Sequence, residues 1–109
     1  MSARPLNLLS NLPQPEAGEV FEDLLRCGPV RIERIVSSPS PEPVPYDQPQ
    51  DEWVLLLQGE SRLWIAGEEI RLGAGDSLFI PAGTPHRVLS TSEEPLCVWL
   101  AVHIEPRPA

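Results

Sequence analysis

Gly75-Asp76-Ser77-Leu78-Phe79-Ile80-Pro81-Ala82-Gly83-Thr84-Pro85-His86 is the stretch that decides the fold. It passes from a Gly-Asp turn through a short apolar strand into a Pro/Gly loop, and it ends on a histidine. Pro81 and Pro85 each hold φ near about −65°, while Gly83 between them can take positive φ. A loop so constrained aims the side chain that follows it, and that side chain is His86.

Working outward, residues 77–80 and 86–90 flank the loop as strands. Upstream, 61–66 and 69–72 are short strands with turns at Gly67-Glu68 and over 73–76. Residues 96–104 form a last strand before Glu105-Pro106. The run Trp53-Val54-Leu55-Leu56-Leu57-Gln58 ends at Gly59 and predicts a strand buried on both faces. Residues 30–37, rich in Ile and Val, read as another strand. Short strands about ten residues apart, punctuated by Gly and Pro, predict an all-β sandwich or barrel. There is no βαβ alternation and no internal repeat.

Residues 1–28 read as an N-terminal arm and a short helical turn. Leu6, Leu8, Leu9 and Leu12 are placed to dock on a surface such as a partner subunit's. Apolar residues at 20, 21, 24 and 25 have helical spacing, and Gly28-Pro29 ends the turn. The barrel then occupies 29–105 and a tail 106–109. Within the barrel, Pro39, Pro41, Pro43 and Pro45 make a stiff connection, since each lacks a backbone donor.

At 109 residues the chain has room for one core. Eight Lys+Arg against 16 Asp+Glu give a formal charge of −8, which argues against nucleic acid and anionic membranes as partners. No stretch approaches a membrane span, and residues 1–9 lack the apolar core of a signal peptide, so the expected location is the cytoplasm. Cys27 and Cys97 are far apart beside apolar residues and read as two free buried thiols. There is no phosphate-cradling Gly-rich loop, no Gly-x-Ser-x-Gly elbow and no Cys–His nucleophile setting.

Two spacings carry a resemblance. Glu52, six residues and Gly59 match the second half of the first cupin motif. Gly75, five residues, Pro81, one residue, Gly83, two residues and His86 match the second motif as far as its histidine. Ser90 stands where that motif closes with asparagine. The chain over about residues 30–104 thus resembles a small single-domain cupin. That implies a double-stranded β-helix, a small jelly-roll barrel whose two sheets close on an interior pocket. Metal-binding cupins add a His-x-His pair before the glutamate, and such His-rich sites suit Fe, Mn, Ni, Cu or Zn. Here those two positions fall on Pro45 and Asp47, or on Tyr46 and Gln48, depending on the gap.

The resemblance leaves Glu52 and His86 as the centre of the site, as an acid–base pair or as ligands. With Asp47 they form a three-residue set for a divalent Zn, Fe, Mn or Ni ion. Without a metal, Glu52 and His86 are a self-consistent carboxylate–imidazole pair. Tyr46, Gln48 and His103 are candidates for the pocket lining. His103 shares a strand face with Cys97, Trp99 and Ala101, opposite the stripe Leu96, Val98, Leu100, Val102 and Ile104. If that stripe fills the core, the ordinary reading, His103 lies on the surface. Trp53 must point away from Glu52, and an outward Trp53 predicts a homodimer interface. Three readings follow: a metal-assisted enzyme on a small organic substrate, a metal-free ligand-binding or sensing barrel with an acid–base enzyme as its variant, and a degenerate barrel with an assembly role.

Overall fold

The computed structural model describes residues 3–42 and 45–106. Pro43 and Val44 of the proline connection, and 107–109 of the expected tail, lie outside the described residues. Eight strands run in the order β1 (Glu19–Cys27), β2 (Val30–Ser37), β3 (Asp51–Gln58), β4 (Glu60–Ile65), β5 (Glu68–Gly73), β6 (Ser77–Ile80), β7 (His86–Thr91) and β8 (Cys97–Ile104). All pairings are antiparallel. They build a five-stranded sheet, β1-β2-β8-β3-β6, and a three-stranded sheet, β5-β4-β7. This is the jelly-roll arrangement expected of the motifs.

The helical turn expected over 19–25 is a strand instead. β1 pairs with β2 along its length, and Gly28-Pro29 is the hairpin turn between Cys27 and Val30. A bulge between Asp23 and Leu25 explains the misleading spacing, because one extra residue resets the alternation of faces. The larger sheet therefore begins at Glu19, within the segment read as an arm and helical turn. The arm ahead of it is tied to its own sheet by Arg34. That guanidinium donates from Nε and Nη2 to the Glu22 carboxylate (2.8 and 3.0 Å), and from Nη1 to the carbonyls of Leu8 (3.0 Å) and Ser10 (2.8 Å). Leu6 and Leu9 remain exposed.

Alternation divides β3 cleanly. Glu52, Val54 and Leu56 are buried, whereas Trp53 is exposed and Leu55 and Leu57 are partly covered. The expectation of a strand buried on both faces fails because the outer face of the larger sheet has no layer over Trp53. The core packs Ile35, Val54, Leu56, Leu63, Leu72, Ile80, Cys97, Trp99 and Ala101 between the sheets. The β4–β5 hairpin turns on Ala66 and Gly67, both with positive φ as a type I′ turn requires. Cys97 is buried and Cys27 exposed, and both are free thiols, so only Cys97 fits the sequence reading.

Candidate functional site

The proline loop and the polar segment before β3 are stitched together by the backbone. Tyr46 and His86 exchange N–H···O=C bonds of 2.6 and 3.0 Å. The Gly83 N–H donates to the Gln48 carbonyl at 2.9 Å, and the Ala82 N–H to Asp51 Oδ1 at 2.8 Å. Rigid loop and rewritten first motif thus form one rim over a cavity of about 360 Å³ between the sheets.

Glu52 and His86 both line this cavity. Their nearest atoms, Glu52 Oε1 and His86 Nε2, are 3.7 Å apart, with both side chains largely buried. Gln48 Nε2 donates to Glu52 Oε1 at 2.6 Å and fixes the carboxylate. His86 Nδ1 lies 3.0 Å from the Thr84 carbonyl. A carbonyl only accepts, so Nδ1 carries a proton, and Nε2 faces the Glu52 carboxylate. Tyr46 also lines the cavity, with its ring centroid 6.0 Å from that of His86.

His103 is inside, not on the surface. It is 4% exposed and pairs in register with Glu52 across β8 and β3. The aliphatic stripe of β8 lies on the face away from the cavity, with Ile104 41% exposed and Val98 fully buried. The reason is physical: the inner face of β8 meets a cavity, so it carries Trp99, Ala101 and His103 rather than a file of large aliphatics. His103 Nε2 is 2.7 Å from Glu33 Oε1, and Gln50 Nε2 is 3.3 Å from His103 Nδ1. With the amide nitrogen donating to Nδ1, the His103 ring holds its proton on Nε2 and donates it to Glu33.

Asp47 does not join the site. Alternation turns Tyr46 and Gln48 inward, and Asp47 lies outside the cavity lining. His103 Nε2 is engaged by Glu33, and Glu52 Oε1 by Gln48. Among the described residues, no group of three or more His, Cys, Asp or Glu side chains is disposed to hold a metal ion. The Asp47–Glu52–His86 set for Zn, Fe, Mn or Ni therefore does not fit the residues as placed.

Sequence reasoning misses three charged lining residues: Glu19, Arg31 and Glu33. Arg31 Nη1 donates to Glu33 Oε2 at 3.0 Å and lies 3.7 Å from Asp23. The signal is present in β2, where Arg31, Glu33, Ile35 and Ser37 alternate onto one face. Glu19 is hidden by the helical reading of its segment. Ser37 Oγ donates to Glu19 Oε2 at 2.6 Å and accepts from Trp99 Nε1 at 3.0 Å. Burial pushes the Glu19 carboxyl up, against the lowering effect of the Ser37 bond, and the neighbouring charges of Glu52, Glu42 and Glu33 push it further. The Tyr46 phenol is raised as well, by burial and then by Glu19 and Glu42.

A family model described as the cupin domain matches residues 37–103. Among solved structures, a protein of Ralstonia eutropha JMP134, provisionally described as a mannose-6-phosphate isomerase, is 36% identical with a TM-score of 0.84. That match covers 95% of this chain and 100% of the other. A cupin superfamily protein of Desulfitobacterium hafniense DCB-2 is 22% identical over 97% of this chain and 94% of that one, with a TM-score of 0.80. The FeII form of HppE shares the fold at 18% identity and a TM-score of 0.69, over 80% of this chain and 50% of its own. No curated protein sequence matches the chain at a significant level.

Proposed function

The chain belongs to the cupin family, and from that premise we propose that its barrel binds a small polar molecule and handles a proton on it without a metal. The observation that carries this is the pairing of His86 Nε2 with Glu52 Oε1 at 3.7 Å inside a cavity of about 360 Å³. With the Nδ1 proton of His86 committed to Thr84, Nε2 is the atom left to exchange a proton. A proton taken there makes an imidazolium beside the Glu52 carboxylate, which favours the charged form. His86 is the catalytic base in this reading, Glu52 its electrostatic partner, and Gln48 the positioning residue that holds Glu52.

A relative described as a sugar-phosphate isomerase is in keeping with proton transfer, since aldose–ketose isomerisation moves a proton between adjacent carbons. The phosphate half of such a substrate finds less support. Arg31 is the one arginine of the lining, and Glu33 and Asp23 already hold it.

Elemental analysis after loading with Zn, Fe, Mn and Ni, followed by a fragment screen read by NMR at the Trp99 indole N–H, tests the reading. Wild type should bind no stoichiometric metal, fragments should shift Trp99, and His86→Ala should abolish that response. Stoichiometric metal lost in His86→Ala would replace the reading with a metal centre.

The partner proposal is a second copy of this chain, docked on the outer face of the larger sheet. Trp53 and Phe79 are register neighbours there, 37% and 53% exposed, with Ile104 on the same face. Light scattering should return a dimer for wild type and a monomer for Trp53→Glu/Phe79→Glu; a monomeric wild type would retire the proposal.

A further inference from the structure

The polar atoms facing the cavity accept far more than they donate. Three carboxylates line it, from Glu19, Glu33 and Glu52, against the single guanidinium of Arg31. The His86 Nδ1 proton is spent on Thr84, and Nε2 faces Glu52 and the cavity. The His103 proton is spent on Glu33. Gln48 gives its amide N–H to Glu52, and Gln50 gives its own to His103 and to Gln48 Oε1, 3.4 Å away. The Ser37 hydroxyl proton goes to Glu19, and the Trp99 indole proton to Ser37. Apart from the remaining N–H groups of Arg31, the donors named here are spent on neighbouring residues, while carboxylate lone pairs remain for a guest.

Charge points the same way. Three carboxylates stand against one guanidinium in the lining, in a chain whose formal charge is −8. Burial first, and then the neighbouring carboxylates, raise both the Glu19 carboxyl and the Tyr46 phenol. Low-dielectric walls concentrate a negative potential within a cleft. The rim adds aromatic faces from Phe21 and Tyr46, surfaces to which an organic cation is attracted.

We propose that the cavity takes a small organic cation, an ammonium or amidinium of few carbons, whose N–H groups donate to Glu52 and Glu19. This rests on the small-molecule reading above and narrows it to one charge class. An anionic guest would meet unneutralised carboxylates, and a neutral alcohol would leave most of their capacity unused.

Cyclohexylamine, cyclohexanol and cyclohexanecarboxylate, which share a ring and differ in charge, separate the possibilities. Each is titrated into the full chain to millimolar concentration and followed at the Trp99 indole N–H by NMR, with thermal shift in parallel. The amine should bind about tenfold or more tightly than the alcohol, as bonds to charged groups imply, and the carboxylate should not bind. Glu52→Gln should reduce amine affinity by about tenfold, the lower end expected for one charge-assisted bond. Glu19→Gln, read in the same way, gives the second variant should Glu52→Gln fail to fold. Equal or tighter binding of the alcohol or carboxylate at Trp99 would overturn the proposal and leave the small-molecule reading standing. An amine that leaves Trp99 unmoved, or that binds both variants as it binds wild type, would overturn it too.

Discussion

Gly59→Ala is expected to destabilise the fold by about 2–6 kcal/mol, combining a backbone and a packing cost of about 1–3 kcal/mol each. Gly59 has φ +94° at the corner where the chain leaves β3 for β4, passing from the larger sheet to the smaller. A methyl group there would meet Ser92 Oγ at 2.7 Å, Cys97 Sγ at 2.9 Å and the Cys97 backbone Cα at 3.0 Å. Those neighbours are committed. Cys97 Sγ donates to the Glu60 carbonyl, and Ser92 Oγ accepts from the Glu60 N–H while donating to Pro95 O. Gly67 has the same φ of +94°, and a methyl group on it would find nothing within 4 Å, so Gly67→Ala measures the backbone cost alone. Urea unfolding of both variants should show Gly59→Ala the more damaging by the packing cost. Equal losses would mean that the corner yields and the clash does not matter.

Glu33→Ala should cost about 1–3 kcal/mol, the range for leaving a buried donor without its acceptor. Glu33 is 5% exposed, and its loss strands the His103 Nε2 proton in a wall where the ring is 4% exposed. Arg31 loses its closer acceptor and keeps only Asp23 at 3.7 Å. The double variant Glu33→Leu/His103→Leu removes both partners together and should recover most of the lost stability, since apolar replacement of a buried pair is often neutral or better. Denaturant titration of the single and double variants decides the matter. If the double falls as far as the single, the pair is itself a net stabiliser of the barrel. Recovery would mean that Glu33 and His103 are kept for what the cavity holds.

Much of this architecture is legible in the chain because its cues are local. The Gly75–His86 spacing, the turns and the even succession of strands place β3 to β8 within a residue or two. Glu52 and His86 can be paired because fixed motif spacing stands in for their distance in space. What escapes depends on context. β1 looks helical because its bulge puts apolar residues at 20, 21, 24 and 25. His103 reads as a surface residue because an aliphatic stripe normally marks the core, whereas here the stripe lies on the face away from the cavity and the inner face of β8 carries Trp99, Ala101 and His103. Asp47 groups with Glu52 and His86 by proximity in sequence, and only the inward turn of Tyr46 and Gln48 removes it. Glu19 joins the cavity through a pairing with Ser37 across a hairpin, which periodicity does not reveal.

The bulge in β1 also bears on how the protein behaves at high concentration. β1 and β6 are the margins of the larger sheet, where unpaired backbone can recruit another chain into a growing fibril. β1 is nine residues long, but the irregularity between Asp23 and Leu25 breaks its straight run, and Glu22, Asp23 and Arg26 add charge along it. β6 is only four residues long. Neither margin is a long, flat template. Colloidal stability on heating or storage is then governed by the sticky patch around Trp53 and Phe79, and solubility engineering should begin on that face and leave the strand edges alone.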